Sequence, residues 1–150
     1  MSLASAIHSQ SPSIVPLYPD PTGLLLIKNL LCWMGFEGPQ INFSWTMPRI
    51  IHDYVEIRRK TGSFPDSPID GKSVYHDDSG DMNVTKVFAD LELVGNCTYY
   101  YTFFTKTNAG HYFADVTTKC KMLAIKTGFF ENELWYDLPM IHRVQDRIMK

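Results

Sequence analysis

Asp77, Ser79 and Asp81 stand at alternate positions, the spacing at which a calcium loop supplies its first three oxygen ligands. The rest of such a loop is missing. Met82 occupies the place of the required glycine, and Phe88 the place of the bidentate glutamate. The segment therefore reads as a solvated hairpin turn. His76 beside Asp77 and Asp78 adds an imidazole, but no second histidine lies near it in sequence, so any metal would be held weakly. Asp70-Gly71-Lys72-Ser73 matches the end of a phosphate-binding loop. The first glycine of that motif would fall at Asp66, so the stretch reads as a turn entering a strand.

Covalent chemistry fares no better. His8, His52, His76, His111 and His142 are scattered, and there is no Gly-x-Ser-x-Gly. A Cys/His nucleophile pair stays open, because spacing alone does not bring the two together. Cys32, Cys97 and Cys120 cannot all pair within one chain, and no Cys-x-x-Cys occurs. They read as three reduced thiols of a protein made in a cytosol. Asn42-Phe43-Ser44, Asn83-Val84-Thr85 and Asn96-Cys97-Thr98 match the glycosylation pattern, and without a secretion signal they read as unused. The expectation is a non-enzyme with no cofactor and no metal.

The elements that would position any site are mostly strands. The chain has 150 residues, 45% apolar and 20% charged, enough to bury one core. Aromatics reach 13%, which favours strands. A net charge of −2 argues against nucleic acid as the main partner. The longest apolar stretch, 24–36, is interrupted by Lys28 and Asn29 and is too short to span a bilayer. Residues 1–22 are dense in proline (Pro12, Pro16, Pro19, Pro21) and read as an extended arm. From 23 to 126, seven short strands alternate with turn signals: 24–33, 40–45, 54–58, 72–76, 84–90, 97–107 and 111–121. Arg58-Arg59-Lys60 reads as a solvated strand end. Residues 127–150 change period: Leu134, Leu138, Ile141, Val144 and Ile148 recur at helical steps, with Pro139 opening a helix. That apolar stripe needs a partner surface.

Several stretches together resemble a fibronectin type III domain of the kind embedded in bacteriophage tail proteins. They are Ile41–Trp45, Val55–Pro65, Ser67–Gly71, Val74-Tyr75, Leu93–Thr102 and Asn108-Ala109-Gly110, about two thirds of the chain. The resemblance implies an all-β, seven-stranded immunoglobulin-like sandwich. Trp45, Val55, Ile57 and Leu93 would hold its fold, and Tyr99 would bond back to the corner near Leu93. Phe104 would face outward, as an exposed aromatic marking a contact surface. The tail Phe130–Asp146 is similar to the opening of a helical segment in phage tail and baseplate proteins. Together they imply a structural virion protein, synthesised in the host cytoplasm and built in many copies into a tail or baseplate. Its assembly contacts with other tail proteins would be Phe104, Trp135, Leu138, Ile141, Val144 and Ile148. The alternative is a carbohydrate- or cell-surface-binding accessory module with a host glycan as ligand.

Overall fold

The computed structural model describes residues 15–35 and 38–125. Eight strands run β1 (Lys28–Met34), β2 (Ile41–Thr46), β3 (Tyr54–Lys60), β4 (Lys72–Asp77), β5 (Thr85–Asp90), β6 (Cys97–Lys106), β7 (Tyr112–Phe113) and β8 (Lys119–Ala124). They form two antiparallel sheets. One has the order β1-β2-β5; the other has the order β4-β3-β6, with β7 and β8 both pairing β6. The chain is an all-β sandwich. The helical stripe and its residues Trp135, Leu138, Ile141, Val144 and Ile148 fall outside the described residues, as does most of the proline-rich arm.

Alternation builds the core. Ile41, Phe43 and Trp45 of β2 face Val55 and Ile57 of β3 and Tyr99, Tyr101 and Phe103 of β6, all buried. The aromatic rings meet edge to face: Trp45 lies 5.0 Å from Phe103 and 5.4 Å from Tyr75, and Phe43 lies 4.6 Å from Tyr101. Such geometry places positive ring edges on negative ring faces. Leu93 packs against this cluster at the corner before β6. There the Val94 N–H donates to the Tyr99 hydroxyl at 2.8 Å, tying the start of β6 to the preceding loop.

The expectations for the last strand, for Phe104 and for the cysteines need correction. The last expected strand is split, because Asp115 caps a single 3-10 turn, Val116–Thr118. The Thr117 N–H donates to the Asp115 carboxylate at 2.8 Å, and the Asp115 N–H donates to the Thr118 hydroxyl at 3.2 Å. Those local bonds take the place of ladder bonds.

Phe104 is not an exposed aromatic: it faces away from the core and is nonetheless fully buried. The loop 61–71 folds over that outer face. The Thr102 hydroxyl donates to the Pro65 carbonyl at 2.8 Å, and the Phe64 ring meets Tyr100 at 5.0 Å. Gly71 ends this loop with φ +82, and a Cβ there would lie 2.5 Å from the Arg59 carbonyl oxygen, so only glycine fits the return into β4.

The cysteines are not three thiols. Cys32 of β1 and Cys120 of β8 form a disulfide, and Cys97 is free. β1 and β8 are edge strands of opposite sheets, so the bond closes one side of the sandwich. The arm's described end lies on the protein itself: Leu17 bridges Tyr112 in parallel, and Tyr18 stacks on His111 at 4.0 Å.

Candidate functional site

The acidic turn after β4 already holds a cation, and it is internal. Lys86 of β5 points inward and places its ammonium 3.3 Å from Asp77 and 2.7 Å from Asp81. The Asp77 carboxylate also accepts from the Ser79 N–H at 2.9 Å and the Ser79 hydroxyl at 2.6 Å. Burial pushes the Asp77 carboxyl up, but the bonds from Ser79 and Lys86 outweigh it and hold the group below the usual carboxylate range. The bond to Lys86 likewise holds Asp81 down, and the bond to Asp81 raises Lys86 above the usual lysine range. Among the described residues no group of three or more His, Cys, Asp or Glu could hold a metal ion.

The signs define two pH limits. A depressed Asp77 contributes stability above the pKa of the unfolded chain, about 4, and that contribution disappears as pH falls through the lower folded value. A raised Lys86 contributes stability below about pH 10.5 that disappears at higher pH. Lys86→Gln is therefore expected to flatten the dependence of Tm on pH below 4 relative to the parent chain. Identical acid limbs for the two proteins would refute the internal pairing.

A second cluster joins the sheets. Arg59 of β3 turns inward, not to solvent, and donates through Nη1 to both carboxylate oxygens of Asp90, at 3.1 and 2.9 Å. The Tyr101 hydroxyl donates to the same carboxylate at 2.8 Å. Burial and the Asp90 charge raise the Tyr101 hydroxyl well above the ordinary tyrosine range, so it remains a donor.

On the outer face of the larger sheet, His76 Nδ1 lies 3.0 Å from Glu56 Oε1, the orienting half of an acid–base dyad. Among the described residues no nucleophile hydrogen-bonds to His76. Tyr54, whose ring centroid lies 4.3 Å from that of His76, is raised above the ordinary tyrosine range by burial and by its bond with Tyr112. The free Cys97 thiol sits at the far end of β6, near Ala124. A cleft of about 260 Å³ opens between the edge strands β4 and β5, lined by Lys72, Val74, Phe88 and Glu92. It is smaller than usual small-molecule sites.

The outer face of the three-stranded sheet is chemically different. Pairing register sets two neighbouring rows across it, Trp33–Asn42–Ala89 and Leu31–Ser44–Val87, with Lys28–Thr46–Thr85 beyond them. Neither of the first two rows holds a charge. Leu31 is 62% exposed, Trp33 45% and Val87 70%. Sheets with one wetted face usually carry polar side chains there. Apolar residues on the flanks and small polar ones along β2 make a flat surface suited to contact. Sequence reading missed this face because Leu31 and Trp33 lie within a nearly continuous apolar run that does not mark which side is outward; the hydrophilic β2 positions Asn42 and Ser44 were the available signal. No family model matches the chain, and no curated protein is similar to it.

Proposed function

We propose that this chain is a structural component of a tailed bacteriophage virion, in the tail or baseplate, with a fibronectin type III-like sandwich that serves as a non-catalytic assembly module. The observation that carries this reading is the charge-free patch on the outer face of the three-stranded sheet, with Leu31, Trp33 and Val87 exposed on a rigid, aromatic-filled sandwich. Strands locked by a packed core present such a face without much loss of conformational entropy on docking. The tyrosine bonded back to the corner before β6 and the Trp45-centred core add support for the immunoglobulin-like type.

Mass spectrometry of purified particles tests the reading, with incorporation of variants as the second measurement. Trp33→Asp is expected to reduce incorporation more than tenfold while Tm stays within about 3 °C, because one exposed side chain contributes little to folding. Ile141→Asp, in the apolar stripe, is expected to act in the same direction. Normal incorporation of both would overturn the assembly role. One observation favours a second reading: exposed Trp33 lies opposite Asn42 in the ladder, an aromatic residue across from a neutral polar one. Absence from particles, with binding to a glycan array that Trp33→Ala removes, would select a surface-binding module.

A further inference from the structure

We propose that the Cys32–Cys120 bond is a redox-controlled clasp that forms after the sandwich has folded and fixes the strand bearing the docking face. For its effect on docking this rests on the assembly reading above; for its effect on β1 it does not. β1 is an edge strand of its sheet. Like β5 it pairs only with β2, and its ladder is irregular, with a register shift between Lys28 and Leu31. Alternation places Cys32 on its inner side, directly between the outward Leu31 and Trp33. The bond reaches from there to β8, the edge of the opposite sheet. Reduced, β1 keeps one ladder and its packing. Oxidised, it is held from both sides, and the exposed indole and leucine are held with it.

The order of events follows from the three thiols. In an unfolded chain, loop closure favours near pairs: Cys97 and Cys120 are 23 residues apart, against 88 for Cys32 and Cys120. Scaling as the three-halves power of loop length, the shorter pair closes about sevenfold more often. The folded chain reverses this preference. Cys120 lies opposite Tyr101, whereas Cys97 lies opposite Ala124 at the other end of the same ladder. The buried core elsewhere is complete without the bond, and Arg59–Asp90 and Lys86–Asp77 draw the opposite side of the sandwich together. Folding with free thiols, as in a cytosol, followed by oxidation, therefore yields the native pair.

The chemistry is thiol–disulfide exchange with a small oxidised disulfide such as oxidised glutathione. One cysteine thiolate attacks the glutathione sulfur and expels one glutathione thiolate. The second cysteine attacks the mixed disulfide and expels the other. One S–S bond forms in the protein and one breaks in glutathione. The two electrons end on two glutathione thiols, which take up the two cysteine protons.

The test uses the full chain, purified reduced. Oxidised glutathione is added either to the folded protein or to protein in denaturant, and the pairs are mapped by peptide mass spectrometry. The folded chain is expected to give Cys32–Cys120, and the denatured chain to give Cys97–Cys120 about sevenfold over Cys32–Cys120. Hydrogen exchange is then compared between reduced and oxidised protein, with Cys97→Ser as a variant that keeps only the native pair. Amides of β1 are expected to exchange at least tenfold faster when reduced, with β3 and β6 unchanged. A reduced chain that is unfolded, or equal protection of β1 in both states, would overturn the clasp. Incorporation into particles separates the two readings. If Trp33→Asp assembles normally, the docking reading fails while the exchange result on β1 still decides the clasp. If Trp33→Asp blocks assembly yet reduced and oxidised protein assemble equally, the clasp has no role in docking.

Discussion

Asp90→Ala is expected to lower the unfolding free energy by about 3–5 kcal/mol, the usual cost of leaving a buried charge without its partner. For a domain of this size that is a fall in Tm of roughly 10–20 °C. The carboxylate is almost wholly buried and accepts four bonds, two from Arg59, one from the Tyr101 hydroxyl and one from the Glu92 N–H. Its loss strands a guanidinium whose side chain is only 12% exposed. The stacking of Arg59 over the Tyr99 ring at 5.3 Å and its bond to the Glu92 carbonyl at 3.3 Å remain, but neither neutralises the charge. The informative comparison is with the double variant Arg59→Met, Asp90→Ala. Removing both charges together is expected to recover at least half of the single variant's loss, because the apolar replacement carries no desolvation cost. Denaturant titration measures both. A single-variant cost below about 1 kcal/mol would mean that water reaches the pair and that the two sheets are not joined through it.

Trp45→Ala is expected to cost a similar amount, about 3–5 kcal/mol, for a different reason. The indole is fully buried between rings that meet it edge-on, and its N–H donates to the Met47 sulfur at 3.3 Å. Phe103 and Tyr75 belong to strands pinned by their own ladders, so the hole left behind cannot close by collapse. Near-ultraviolet circular dichroism is expected to weaken along with stability, since the packed aromatic cluster loses its centre. Trp33→Ala provides the contrast: on the exposed face it is expected to change stability by less than about 1 kcal/mol. Equal losses at the two tryptophans would contradict the assignment of one to the core and the other to the surface.

Much of the sandwich was legible because its strands alternate cleanly. Ile41, Phe43 and Trp45 announce β2, and Val55 and Ile57 announce β3, with the expected faces inward. The same rule applied one step further would have found the ion pair. Arg59 shares the side of Val55 and Ile57, and an arginine on an inward face demands a carboxylate opposite it. What alternation cannot supply is long-range coverage. Phe104 faces outward by its parity yet is fully buried, and its strand neighbour Thr102 on the same face is bonded to Pro65, some forty residues earlier, a closure that no local pattern announces. The Cys32–Cys120 pair is of the same kind, because three cysteines allow three pairings and only the meeting of two edge strands from different sheets selects one. The exposed face escaped notice for the converse reason, since Leu31 and Trp33 have core-type side chains and reveal their position only through the register with Asn42 and Ser44.

The inward lysine of β5 has a consequence for solubility. A sandwich with open strand edges invites sheet-to-sheet growth, in which the edge of one molecule zips onto the edge of another and the product is an aggregate. β5 is an edge strand, and near its start lies Lys86, its ammonium committed to Asp77 and Asp81. An incoming strand would have to displace or bury that charge. The paired Lys72 and Glu92 guard the neighbouring rim in the same way. The rim formed by β4 and β5 is thereby guarded against open-ended strand addition.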